Sequence, residues 1–279
     1  MTKQKPTLVI DANRRSLSLG LKELFQYQDL FLVLAYRDLR VRYAQTFLGL
    51  LWAVIQPVST LLIFTLLFGK AIKIDTGGVP YPFFAVTGMA LWTYFSFVMS
   101  NSGQSIIQAQ NMIKKVYFPR LVIPLSKALV GLVDFAIVFA LLIVLAFYYD
   151  ITLSENIWWV PAFILLNVLC ALGVGVWLSA LTVRFRDFQH IVPFVVQFGL
   201  YATPVGFPAK LIADRLPDWA AAIYYLNPMA GIIEGFRWAL IGTEAPGTMS
   251  YLSFGMVLLL FVSGLYYFKR VEKVMPDIV

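Results

Sequence analysis

PLSKALVGLVDFAIVFALLIVLAFYY, residues 124–149, decides how this chain folds. As a helix rising ~1.5 Å per residue it reaches about 39 Å, enough to cross a hydrocarbon layer of about 30 Å. A run so long and so apolar exceeds what a soluble core needs. Five further runs flank it, at 49–69, 81–103, 158–182, 191–206 and 249–268. Most approach or exceed the ~20 residues of a membrane-crossing helix, and only 191–206 falls short by itself. Composition agrees, with 60% hydrophobic and 13% charged residues. The expected fold class is all-α integral membrane, one transmembrane domain over 1–279 with six transmembrane helices.

Loop charge fixes the expected orientation. Lys3, Lys5, Arg14, Arg15, Lys22, Arg37, Arg40 and Arg42 precede the first run. Lys114, Lys115 and Arg120 lie in the second loop, Arg184 and Arg186 in the fourth, and Lys269, Arg270 and Lys273 in the tail. The first loop offers only Lys70 and Lys73, and the third, 150–157, has none. Cytoplasmic loops collect Lys and Arg, so six crossings put both termini in the cytoplasm. The net charge of +7 then reads as topology and contact with anionic membrane lipids, with no nucleic acid partner. The polar, basic start carries no cleavable signal sequence, which leaves the first run as the insertion signal. Cys170, the single cysteine, sits inside the fourth run and reads as a packing residue.

Two segments fall outside the runs. After a cytoplasmic arm, 1–20, apolar residues recur at helical spacing through Leu21, Leu24, Phe25, Leu32, Ala35 and Leu39. That predicts an amphipathic interfacial helix over 21–43. The second segment, 207–247, contains Asn227-Pro228 followed by a helix-like run to Ile241 and then Gly242. Asn caps a helix, Pro suits its first position, and Gly favours the left-handed stop. About 14 residues reach only ~21 Å, so this helix is expected to be re-entrant, on the external side. Glu234 and Arg237, at i,i+3, read either as a local pair or as charges near an outer mouth.

Chemical motifs are missing. Gly69-Lys70 lacks the upstream glycine of a phosphate loop, and no Cys/His cluster or paired carboxylates mark a metal or catalytic centre. No catalytic residue and no metal ligand is expected, and energy for active transport must come from another polypeptide. Aromatic residues, at 16%, are plentiful, and their faces suit a sliding sugar chain.

RDLRVRYAQTFLGLLWAVIQP (37–57), KKVYFPRLVIPLSKALVGLVDF (114–135), VRFRDFQHIVPFVVQFGLYATPVGFP (183–208) and YLNPMAGIIEGFRWALIG (225–242) resemble, in order, the permease subunits of ATP-binding-cassette polysaccharide exporters. That family exports O-antigen, capsular polysaccharide and teichoic acid. The resemblance implies an inner-membrane homodimer bound to two cytoplasmic ATPase subunits, moving a lipid-linked polysaccharide, most closely of the O-antigen type. ATP and Mg would bind the partner, and this subunit would hold no cofactor. It implies ATPase contacts at Leu21–Arg37 and Ile106–Arg120, making Arg37, Lys114, Lys115 and Arg120 the coupling candidates. The aromatic path candidates are Trp52, Trp92, Tyr94 and Tyr201. Residues 202–242 would form the external gate, with Pro204, Gly206, Asn227, Pro228, Glu234 and Arg237 as its candidates and a hinge at Asn227-Pro228. The alternatives are an ion-gradient-driven secondary transporter, which would need mid-membrane ionisable groups and repeats, and an integral-membrane glycosyltransferase, which would need convergent carboxylates.

Overall fold

A computed structural model describes residues 21–44, 49 and 51–275; the expected cytoplasmic arm lies outside the described residues. All regular structure among them is helical. α1 (Leu21–Gln26) and α2 (Gln28–Ala44) make the segment expected to be amphipathic helical, with an interruption at Tyr27; apolar Leu32, Val33, Tyr36 and Val41 are exposed on α2 while Leu34 and Ala35 are buried. α3 (Leu51–Phe64) continues without a break as a wide π-helical turn, Thr65–Ala71. α4 (Tyr81–Gln108), α5 (Gln110–Ile113) and α6 (Val122–Tyr148) follow. A 3₁₀ turn, Glu155–Trp159, is capped by Ser154, whose Oγ accepts from the amide of Asn156, and leads into α7 (Val160–Arg184). α8 (Phe188–Ala202), α9 (Lys210–Ala213), α10 (Asp218–Tyr225), α11 (Pro228–Ile241) and α12 (Ser250–Glu272) complete the order.

Five of these helical stretches are long and apolar enough to cross a membrane: 51–71, 81–108, 122–148, 155–184 and 250–272. The fifth expected run is different. α8 has 15 residues, about 22 Å, and it begins and ends earlier than 191–206. Pro204 contributes no backbone donor, and Thr203 turns to extended geometry (φ −93°, ψ 144°), so the helix stops at Ala202.

α4 is the hub. Of its most apolar stretch, 78% is buried inside the molecule, against 17% for the first span. It lies between α6 and α7, with α8 on a further side. Ser102 Oγ donates to the Pro124 carbonyl at 2.9 Å, tying α4 to the start of α6. Asn167 Nδ2 donates to the Leu91 carbonyl at 3.2 Å, tying α4 to α7. α12 packs on α7 at very close range: a Cβ on Gly264 would lie 2.5 Å from the Gly173 carbonyl oxygen. The end carrying α2, α5 and the close of α12 is the one that the charge pattern leads us to expect at the cytoplasmic face, hence the inner end. A second apolar cluster there joins Leu34, Ile106, Phe118, Phe268 and Met275.

Candidate functional site

The outer end is built around the turn that stops α8. A buried helix end leaves carbonyl groups that other parts of the protein must satisfy. Four successive carbonyls are satisfied by side chains from other helices. Pro204 O accepts from Arg237 Nη1 at 2.8 Å and Val205 O from Arg237 Nη2 at 2.6 Å. Gly206 O accepts from the Tyr81 hydroxyl at 2.9 Å, and Phe207 O from Arg237 Nη1 at 3.3 Å. The guanidinium also donates from Nε to Thr87 Oγ1 at 3.0 Å and from Nη2 to Phe84 O at 3.2 Å. Its carbon sits 3.6 Å from the centre of the Phe84 ring. Arg237 is 3% exposed, and its five N–H groups match these five acceptors. Gly88 permits the approach: a Cβ there would fall 2.7 Å from the Val205 oxygen and 2.8 Å from Arg237 Nη2.

Glu234 and Arg237 therefore do not form the local pair that their spacing allowed. Glu234 accepts from the Tyr225 hydroxyl at 2.9 Å and the Ser250 hydroxyl at 2.7 Å. The α10–α11 break has the expected local geometry. Asn227 Oδ1 caps α11 by accepting from Met229 N at 3.0 Å, and Gly242 ends the helix in the left-handed region (φ 68°, ψ 29°). The break is also braced on both sides. Asn227 Nδ2 donates to Thr203 Oγ1 at 2.9 Å, and Ser253 Oγ on α12 donates to Tyr225 O at 2.7 Å and Asn227 O at 3.0 Å. An outer cavity of about 430 Å³ opens beside this assembly, lined in part by Asp75, Glu234 and Arg237. At its rim Lys210 Nζ meets Glu244 at 2.7 Å, and that carboxylate raises the Lys210 ammonium above its ordinary range.

The inner end is held differently. Lys127 Nζ on α6 meets Asp38 on α2 at 2.5 Å. Two turns deeper, Asp134 accepts from Arg42 Nη1 at 2.6 Å and from the Tyr43 hydroxyl at 2.7 Å. Burial and the bond to Asp134 push the Tyr43 phenol up to about 12, so it serves as a neutral donor. The Arg42 guanidinium also covers the Phe97 ring at 4.6 Å. A cavity of about 430 Å³ lies against this seam, lined by Arg42, Lys127, Asn101 and Gln108 among others. Seven residues apart, Lys127 and Asp134 share a face of α6, but no local spacing names Asp38 and Arg42 as their partners.

The coupling candidates separate into two kinds. Arg37 is exposed and, among the described residues, bonds to its neighbour Asp38 at 2.9 Å. Lys114 and Lys115 are exposed on the turn after α5, beside exposed Val116 and Tyr117. Arg120 is engaged internally: its amide donates to Glu272 Oε1 at 3.0 Å and its guanidinium to the Glu272 carbonyl. It straps the second loop to the end of α12.

The aromatic candidates also divide. Trp92 and Tyr94 are packing residues on α4. Trp92 lies over Gly199 of α8, where a Cβ would approach its ring to 2.6 Å. Tyr94 meets Phe135 edge-on, ring centroids 6.1 Å apart. Trp52 on α3 and Tyr201 on α8 are exposed. Tyr201 continues a stripe with Phe194 and Phe198, exposed and 4.2 Å apart between ring centroids. These three stand at i, i+4 and i+7, a spacing that marks one helix face and could have singled out the stripe beforehand.

Residues 29–241 match the ABC-2 type transporter family. The chain is 29% identical over 254 residues to the O-antigen export system permease protein RfbA of Myxococcus xanthus, covering 90% of this chain and 96% of that protein. It is 29% identical over 249 residues to a protein of the same name from Klebsiella pneumoniae, covering 88% and 92%. It is 23% identical over 249 residues to the polysialic acid transport protein KpsM of Escherichia coli, covering 86% and 93%. A match running from α2 to the last residue of α11, across the inner seam and the outer closure alike, makes this chain a member of the ABC-2 type transporter family.

Proposed function

We propose that this chain is the membrane permease subunit of an ATP-driven exporter of a polysaccharide, lipid-linked and of the O-antigen type, in a bacterial inner membrane. The observation that carries this reading is similarity along about nine-tenths of the chain to a protein named as an O-antigen export permease. The subunit crosses the membrane six times, α8 with its turn serving as the short fifth crossing, and keeps both termini in the cytoplasm. Two copies pair and bind two ATPase subunits, which hold ATP and Mg, while this subunit has no catalytic site. Arg37, Lys114 and Lys115 are free to face the ATPase, and residues 202–242, with Pro204, Gly206, Asn227, Pro228, Glu234 and Arg237, form the external gate. The stripe Phe194–Phe198–Tyr201, with Trp52, supports an aromatic wall on which sugar rings slide.

Purification from membranes tests the reading, with mass spectrometry identifying the bound ATPase and the co-purified lipid-glycan. Isolation of the chain without an ATPase, or with export insensitive to loss of that ATPase, would sink it. Cysteine pairs across the dimer axis within 202–242, in a Cys170→Ala background, should crosslink and block export reversibly. Crosslinking with no effect on export would place the gate elsewhere.

A further inference from the structure

The geometry points to Arg237 as a positioning residue that makes the α8 stop, the outer part of α4 and α11 into one rigid block, so the outer end opens by movement of that block and not by a hinge at Asn227-Pro228. This rests on the reading of 202–242 as the external closure. Arg237 is saturated by oxygen atoms of two other elements: Phe84 and Thr87 on α4, and Pro204, Val205 and Phe207 in the turn. Four of the five acceptors are backbone carbonyls, which cannot swing away as a carboxylate can. Tyr81, also on α4, takes the carbonyl that Arg237 leaves, Gly206. The supposed hinge is itself bonded to the turn through Thr203 and to α12 through Ser253. Bending there would break these part-buried bonds. Flexing falls instead to the segments that enter and leave the block, 208–217 and 243–249, where the rim pair Lys210–Glu244 is exposed.

Hydrogen exchange on the purified full-length chain tests the block. Arg237→Lys keeps the charge and removes the planar fork. The amides of Thr203 and Val205 and those of 81–88 and 228–241 should then lose protection together, by roughly tenfold or more, while α6 keeps its own. Exchange at Thr203 and Val205 staying within about twofold of the parent would overturn the proposal. Loosening confined to α11 would overturn it as well. Gly88→Ala is the second variant should Arg237→Lys fail to fold, because its methyl group presses Arg237 and Val205 apart from the α4 side; the same two readings decide. The crosslinking test of the gate is independent. A block that behaves as stated, with crosslinks that leave export untouched, removes the gate and keeps the block. Crosslinks that stop export, with no joint loss of protection, do the reverse.

Discussion

The two ends of the molecule hold charge in opposite ways. At the outer end one buried arginine has no carboxylate bonded to it and is enclosed by four carbonyls, a hydroxyl and an aromatic face. At the inner end two carboxylates and two cations, one on α2 and one on α6 in each pair, form a seam. The difference lies in what can move. Carbonyls are fixed to helices, so the arginine fork must be lost before the turn can leave its place. Side chains can swing without displacing a helix, and here exposure is uneven: the Arg42 side chain keeps 34%, Asp134 only 7%, and Lys127 and Asp38 11% and 16%. The outer end is held by groups fixed to the backbone, the inner end by side chains that carry charge.

Arg237→Met should break the contrast most sharply. It fills similar space but orphans several buried carbonyls, each worth about 1–3 kcal/mol, so a loss of at least ~3 kcal/mol is expected. Denaturant unfolding in detergent, followed by tryptophan fluorescence, measures it, and a loss below ~1 kcal/mol would show that the carbonyls find other donors.

Asp134→Asn should cost less, about 1–3 kcal/mol, because a charged hydrogen bond is lost while Arg42 still reaches water. A double-mutant cycle with Arg42→Gln isolates the pair. Its coupling should shrink as salt rises to about 1 M, whereas the cost of Arg237→Met should stay level. Equal salt response at both ends would erase the distinction.

Lys210→Ala should do least. The pair with Glu244 is exposed and screened by solvent, so its removal should leave stability essentially unchanged. Because Glu244 raises Lys210, whatever the pair adds is fully present below the ordinary lysine value and fades only above it. Unfolding midpoints of parent and variant should therefore differ by the same small amount from pH 6 to 9. A difference that varies across that range would mean that the rim pair acts on another group.

Much of the fold was legible because its signals are local. Run length announced the long helices, and Asn227, Pro228 and Gly242 announced both ends of α11. The central place of α4 was not legible, since an apolar helix reads alike whether lipid or protein surrounds it, and for that reason Trp92 and Tyr94, both buried, read as candidates for a sugar path. The Arg237 site was hidden more deeply. Its partners are mainly carbonyl groups, which every residue carries and no sequence marks, so the nearby Glu234 looked like the natural counter-ion. α8 ended short of its apolar run because Pro204 outweighed the hydrophobic residues around it.

The contact of Gly173 with Gly264 bears on how the protein is made. α7 leaves the ribosome long before α12, and the sequence between them includes α8 and the whole outer closure. Until α12 is in place, Gly173 lacks the helix that packs on it, and Ser253 is not yet there to brace Asn227. α12, made after α8 and the outer closure, thus completes both the close α7–α12 contact and the outer wall. A chain truncated before Ser250 should insert its earlier spans yet stay loose at its outer end, a target for membrane proteases. Pulse-chase degradation of such a truncation against the full chain would show whether biogenesis waits on this one contact.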